Sequence, residues 1–282
     1  MTAATTPDAP ETRGLRDHLR VFLTAVMFLT RLPCPAWVGH EAEYLARSTI
    51  WFPVIGVMVG LLGAAAYAVA ALLWPPLVAA ALATVATVWL TGAFHEDALA
   101  DACDGFGGGW GKDQILQIMK DSRVGSYGVV GLALVLVAKL GALVTIAGVG
   151  PVADTGAVER VARALVAAHV LGRWSSLPLI WRLEYVRETG SKSKPFAASV
   201  TPARLAVGTA LMLAAVGLAL APFGAARTTA VLGVALGVTL LAGRYFHRVL
   251  GGITGDCLGA ANQAVELATY LALAAHAAHV GR

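Results

Sequence analysis

The sequence predicts an all-α, polytopic integral membrane protein: a bundle of about seven transmembrane helices with a short N-terminal interfacial or re-entrant helix. The chain is 57% hydrophobic and only 13% charged, with a mean hydropathy of +0.71, where a soluble domain carries about 25% charged residues. Its apolar runs approach the ~20 residues that a helix needs to cross the hydrocarbon core. Helix is the expected form of those runs, because lipid offers no partner to an unpaired backbone group.

In chain order, residues 1–15 are polar and rich in Pro and Thr, and read as a disordered tail without a signal peptide. Residues 16–282 form a single membrane-embedded domain. "VFLTAVMFLTRLPCP" is short for a span and reads as the interfacial or re-entrant helix, or as a short eighth span. Trp51–Trp74 is the first clear span, broken by Pro75 and Pro76, and Leu77–Phe94 is the second. Further spans are expected over Val129–Val149, Val161–Trp181, Leu205–Ala221, Thr228–Gly243 and Leu258–Ala278. "GVMVG" (Gly56–Gly60) and "GVALG" (Gly233–Gly237) are small-xxx-small patterns that suit close helix packing.

Lys and Arg concentrate in alternate connections. They precede the first span (Arg13, Arg16, Arg20, Arg31, Arg47) and follow the second (Lys112, Lys120, Arg123), the fourth (Arg182, Arg187, Lys192, Lys194, Arg204) and the sixth (Arg244, Arg248). The other connections carry only Arg160 and Arg227. The positive-inside rule then puts every basic loop on the cytoplasmic side. The net charge of +4 is spread over these loops, which argues for a membrane surface and against a nucleic-acid footprint. Seven Trp and six Tyr are available as interfacial anchors. The cysteines Cys34, Cys103 and Cys257 lie far apart with no CxxC, so they suggest neither a disulfide framework nor a zinc site.

Against this background, "FHEDALADACDGFGGGWGKD" (Phe94–Asp113) is anomalous, with five acidic residues, a histidine and five glycines in one stretch. Asp97, Asp101 and Asp104 are spaced i, i+4, i+7, one face of a helix. Like charges so placed call for a cation, and hard carboxylate oxygens suit Mg2+ or Mn2+ held together with substrate phosphates. His95 precedes them. Glu96 points about 100° away on a helix and is at most a secondary ligand. "GFGGGWGK" fails as a Walker loop, because Phe106 and Asp113 stand where Gly and Ser/Thr are needed. It reads instead as a flexible loop whose amides can approach a phosphate, or as a plain linker.

In "KDSR", Asp121 can join a metal site while Lys120 and Arg123 neutralise a diphosphate; the alternative is an Asp121–Arg123 pair with a structural role. Asp256, in "GGITGDCLGAANQ", opens the last span on the same face as the acidic stretch. It is either a helix N-cap or part of the site, with Thr254 and Asn262 as nearby polar contacts.

"FHEDALADACDG", "IMKDSRVGSYG" and "LGGITGDCLGAANQAVELA", with "FLTRLPCP" early and "GRW" at Gly172–Trp174, closely resemble the cobalamin (vitamin B12) synthase family, the adenosylcobinamide-GDP ribazoletransferases. The match runs over nearly the whole chain in order. The family pattern H-x-D-G-L-A-D-x-x-D-G has Ala98 here in place of its first Gly, and Glu96 adds a charge; no carboxylate is lost.

The resemblance implies a Mg2+-dependent enzyme of the inner membrane with its site facing the cytoplasm. Its substrates would be adenosylcobinamide-GDP and α-ribazole or α-ribazole 5′-phosphate, with GMP released. Asp97, Asp101, Asp104 and Asp121 would be metal and catalytic residues and Asp256 catalytic. His95, Lys120, Arg123, Arg173, Thr254 and Asn262 would bind substrate. The partners implied are the two substrates and membrane lipid, with no nucleic acid, and a homo-oligomer is left open.

Two other classes compete. A CDP-alcohol-type lipid head-group phosphotransferase has related chemistry, but its D-G-x-x-A-R core is absent, since "FGGGW" follows Asp104–Gly105. A cation-coupled transporter would show an inverted repeat, and none is visible.

Overall fold

The computed structural model describes residues 14–148, 155–186 and 200–277. The 1–15 tail therefore lies almost wholly outside the described residues, as do Arg187, Lys192 and Lys194. Eleven α-helices are described: α1 (Leu15–Leu29), α2 (Ala42–Ser48), α3 (Phe52–Ala70), α4 (Pro76–Thr91), α5 (Phe94–Gly108), α6 (Lys112–Ile118), α7 (Ser126–Ala147), α8 (Thr155–Arg182), α9 (Pro202–Leu220), α10 (Ala225–Leu250) and α11 (Gly255–Ala277). Among the described residues there is no strand, only an isolated parallel bridge between Tyr185 and Ile253. The all-α expectation holds, and a helix stands at each of the seven predicted spans.

By length and apolarity, four helical runs can cross a membrane: residues 42–70, 126–147, 202–223 and 225–250. A fifth span is obtained if α4 and α5, bent by 91°, count as one. This is a polytopic membrane protein. Helices α8 and α11, at 28 and 23 residues, are long enough as well, but Arg163, His169 and Arg173 in one and Asn262, Gln263 and Glu266 in the other lower their hydropathy. Both are interior helices. The middle of α8, from Ala164 to Ser176, is buried almost continuously, and α8 packs most extensively on α3 and then on α11. A helix surrounded by protein is free to carry polar groups, provided they are partnered.

The α3–α8 contact depends on "GVMVG". A Cβ on Gly56 would strike the His169 carbonyl, and one on Gly60 would strike Val166. The pattern "GVALG" does not work this way: no atom of the described residues lies within 4 Å of a Cβ at Gly233 or Gly237. Val234, Leu236, Leu240 and Leu241 are exposed around them, so this part of α10 presents an apolar, unpacked surface to its surroundings.

Helix α1 is set against the bundle by Arg47, which pairs with Asp17, and by Arg20, which donates to the Val38 carbonyl (2.7 Å) and to Glu41. Its buried stripe of Val21, Thr24, Ala25 and Leu29 faces inward. A strongly one-sided helix of 15 residues suits an interfacial position better than a span.

Candidate active site

The second predicted span ends three residues early, because Gly92 (φ 68°) and Ala93 (φ 58°) both adopt the left-handed conformation. Glycine takes that region freely, whereas alanine pays about 1–2 kcal/mol for it. The two residues turn the chain through 91°, so that the acidic stretch becomes α5, a helix lying across the end of α11. Gly259 permits the contact: a Cβ there would collide with that of Ala98, the residue that replaces the family's glycine.

"GFGGG" is accordingly no flexible loop. Gly105 and Gly107 lie within α5, where a Cβ would strike Met119 and Tyr127, and Gly109 just beyond it is pressed against Ile115. These glycines let α5 approach α6 and the start of α7. Only Gly111, at φ 89°, has a conformation that requires glycine.

At the other end of the chain, Thr254 caps α11: its Oγ1 accepts from the Cys257 N–H at 3.2 Å. The cap is thus Thr254 and not Asp256, which sits in the first turn of α11, where free amides and the helix dipole favour an anion. The segment after α8 is tied to this turn by Val186 N–H to the Ile253 carbonyl (2.9 Å) and Ile253 N–H to the Glu184 carbonyl (2.8 Å). Tyr185 is thereby placed with its hydroxyl 3.3 Å from the Gly255 nitrogen.

These elements enclose a cavity of about 360 Å³. Its polar side carries His95 and Asp97 from α5, Arg173 and Ser176 from α8, Tyr185, and Asp256 from α11. Its apolar side carries Phe28 and Leu29 from α1, Leu45, Phe52 and Phe94. Asp97 and Asp256, 159 positions apart (256 − 97), thus meet in one cavity, as expected for the acidic stretch and the last basic loop. Arg173 is only 2% exposed. One of its terminal nitrogens, Nη1, donates to the His169 carbonyl at 3.2 Å, and its Nε has no partner among the described residues. No carboxylate pairs with it there. Glu266 and Glu96 act on it only at a distance, and a buried guanidinium with no direct ion pair among the described residues makes the cavity a place for an anion.

The other predicted site residues fall elsewhere. Asp104 is buried in a second hollow of about 400 Å³ with Asp121, Arg123 and the start of α7. Its Oδ2 accepts from the Gly125 N–H (2.6 Å) and its Oδ1 from the Gly128 N–H (2.8 Å). A cap supplied 21 residues away in sequence satisfies the first turn of α7. Asp121 is bonded to the backbone nitrogen of Arg123 (3.0 Å) and paired with its guanidinium at 2.5 Å. The Arg123 side-chain bond, then the backbone bond, lowers the Asp121 pKa to about 2, so the carboxylate stays charged throughout the physiological range.

Asp101 is half-buried and lines neither hollow. Lys120 is exposed and also lines neither. Thr254 is fully buried as a cap, and Asn262 is buried between α8 and α11 beside Gly172, with both side-chain polar atoms unpartnered among the described residues. The i, i+4, i+7 face therefore exists but does not converge on one point.

One cluster was not anticipated. Lys139 of α7 donates to Gln263 Oε1 (2.6 Å) and Glu266 Oε1 (2.7 Å) of α11. The other oxygen of Glu266 is 3.1 Å from His169 Nδ1, and Gln263 Nε2 donates to Glu96 Oε1 at 3.2 Å. His169 Nδ1 also lies 3.2 Å from Arg173 Nη1. One nitrogen cannot both donate to Glu266 and accept from Arg173. With the proton on Nδ1 facing Glu266, Arg173 is left bonded to the His169 carbonyl. Glu96 faces away from Asp97, as its helical angle requires, and belongs to this cluster. Lone ionisable residues inside apolar spans were the sequence signal that marks it.

The chemistry of the donor set suits Mg2+ only with help. Among the described residues no three His, Cys, Asp or Glu side chains form a metal-binding group. Asp97 and Asp256 do line one cavity, and Mg2+ is commonly held by one or two carboxylates plus substrate phosphates.

Comparison with known proteins shows the family. The family model described as cobalamin-5-phosphate synthase matches residues 21–274. A protein of Polaromonas naphthalenivorans (strain CJ2) named adenosylcobinamide-GDP ribazoletransferase is 42% identical over 273 residues, covering 92% of this chain and 98% of its own. Proteins of the same name from Leptothrix cholodnii and Shewanella frigidimarina are 44% and 41% identical, covering 92% and 94% of this chain and 96% and 97% of theirs. No solved structure matches. A helical membrane bundle, an acidic helix folded across its end and relatives that align over nearly their full length agree: the chain belongs to the cobalamin-5-phosphate synthase family of transferases.

Proposed function

We propose that the protein transfers α-ribazole 5′-phosphate, or α-ribazole, to adenosylcobinamide-GDP with release of GMP, using Mg2+ at the cytoplasmic face of the inner membrane. The observation that carries this reading is the cavity in which Asp97, Asp256 and the buried Arg173 meet. In the reaction the ribose 3′-hydroxyl attacks the phosphorus on the cobinamide side of the diphosphate. A new P–O bond forms, the bridging P–O bond to GMP breaks, and the hydroxyl proton is lost.

Such a transfer depends mainly on positioning and on neutralising charge. Arg173 would face the diphosphate with a guanidinium that makes no direct ion pair among the described residues. Asp97 and Asp256 would hold Mg2+ together with the diphosphate oxygens. When bound, the ion would supply neutralisation of the diphosphate's charge. Tyr185 holds the turn that presents Asp256, while Thr254 caps the helix. The experiment is to supply purified protein in liposomes with both substrates and Mg2+ and to measure GMP. Wild-type protein that releases no GMP would refute the reading, and release of CMP from a CDP-alcohol would favour the lipid head-group alternative.

The orientation is tested separately. Lys112 and Arg248 are exposed, and the Lys112 ammonium reaches the α10–α11 turn, 3.9 Å from the position of a Cβ on Gly251. Single cysteines at these two positions should react only with a reagent applied from the cytoplasmic side. Labelling of either from the opposite side contradicts the assigned face.

A further inference from the structure

We infer that the apolar half of the cavity is the seat of the acceptor's aromatic base, so that the ribazole enters the protein while the corrinoid stays outside it. The inference rests on the reaction proposed above and adds which substrate occupies the cavity and how.

Size comes first. About 360 Å³ is at the small end of pockets that enclose drug-sized ligands. A two-ring base on one ribose is of that class. A corrin macrocycle with its amide side chains and attached GDP is several times larger, and can present only its diphosphate to the mouth.

Wall chemistry comes second. Phe28 and Phe52 lie nearly parallel at 6.0 Å between centroids, and Phe94 meets Phe28 edge-on at 5.3 Å. Phe94 is nevertheless 44% exposed and lines the cavity, so part of its ring remains available for a ligand. His95 packs against Phe94 at 5.2 Å. Aromatic walls of this kind take flat, apolar rings by stacking, with little dependence on hydrogen-bond pattern.

Register comes third. Phe94 and Asp97 are three residues apart on α5, which places their Cβ atoms about 5–6 Å from one another on one face. A base against Phe94 therefore sets its ribose beside Asp97, where the attacking hydroxyl is required. Arg173 and Asp256 stand on the same polar side. The reverse placement would put a phosphate against Phe28, Phe52 and Leu45, where among the described residues no cation lines the wall.

The test is steady-state kinetics with each substrate varied in turn. Phe94→Leu keeps the apolar volume and removes the ring. It should raise KM for α-ribazole 5′-phosphate about ten-fold, the order expected for one lost base–aromatic stack. KM for adenosylcobinamide-GDP should stay within about two-fold of wild type. Phe94→Trp should keep a low acceptor KM. With a riboside phosphate whose base is a single ring, the Leu penalty should shrink.

Unchanged acceptor KM in Phe94→Leu would overturn the inference, as would a rise confined to the corrinoid substrate. If Phe94→Leu folds poorly, Leu45→Trp, which adds bulk to the same apolar side, should raise the acceptor KM and leave that for adenosylcobinamide-GDP unchanged, and its failure to raise the acceptor KM would equally overturn the inference. Failure of the reaction itself is seen separately, as wild-type protein that releases no GMP.

Discussion

Asp256→Ser is expected to lower the rate of GMP release by about a hundred-fold or more, the scale seen when one group that stabilises transition-state charge is removed. The same variant should keep its thermal midpoint within about 2 °C of wild type. What it loses in stability is the interaction of an acidic side chain with the first turn of α11, worth about 0.3–1 kcal/mol. The companion is Thr254→Val. Thr254 holds the helix cap through the Cys257 N–H at 3.2 Å and is fully buried. Its loss should cost about 1 kcal/mol while activity per folded molecule stays within a few-fold. Stability and activity are thus expected to separate over two residues only two positions apart. They are to be measured by thermal unfolding in detergent alongside the GMP assay. If Asp256→Ser turns over normally, Asp256 only supports the helix and the second carboxylate of the site lies elsewhere.

The largest stability effect is expected deep in the bundle. Lys139 and Glu266 are 3% and 4% exposed, on α7 and α11, and their side chains meet at 2.7 Å. Lys139→Met leaves Glu266 buried with only the His169 ring as a donor. Breaking a buried pair from one side typically costs about 3–5 kcal/mol, because the remaining charge is uncompensated. The double variant Lys139→Met, Glu266→Gln removes both charges and keeps an oxygen for His169 Nδ1–H, so it should recover most of the loss. Denaturant unfolding of the two variants in the same detergent checks this. A Lys139→Met protein as stable as wild type would mean that water reaches the pair and solvates it.

Much of the molecule was legible because membrane helices declare themselves by length and apolarity. Pro75 and Pro76 marked the turn between α3 and α4, and the Gly56/Gly60 spacing marked the face of α3 that meets α8. The convergence of the acidic stretch with the 254–257 turn followed from the alternation of basic loops.

Other features were hidden for physical reasons. The bend before α5 needs a left-handed Ala93 beside Gly92, and nothing in an alanine announces that conformation. "GFGGG" resembles a loop by composition, yet its glycines serve packing against Met119, Tyr127 and Ile115. Asp104 fits the aspartate spacing, but its oxygens are engaged by two amides more than twenty residues away, a contact that helical periodicity does not encode. The buried pair of Lys139 and Glu266 was readable in part: each is an ionisable residue within an apolar run, and such residues need partners. The Gly233/Gly237 pattern is a signal without a neighbour among the described residues.

The separation of Asp97 from Asp104 gives the most direct test of the site. Asp97 lines the cavity with Arg173 and Asp256, whereas Asp104 caps α7. The measurement is initial GMP release from adenosylcobinamide-GDP and α-ribazole 5′-phosphate, normalised to folded protein, for Asp97→Asn and Asp104→Asn. The site described here predicts that Asp97→Asn is folded and slowed by at least about a hundred-fold. It also predicts that Asp104→Asn loses stability but retains most of its activity per folded molecule. Wild-type turnover by Asp97→Asn would contradict the placement of the active site in this cavity.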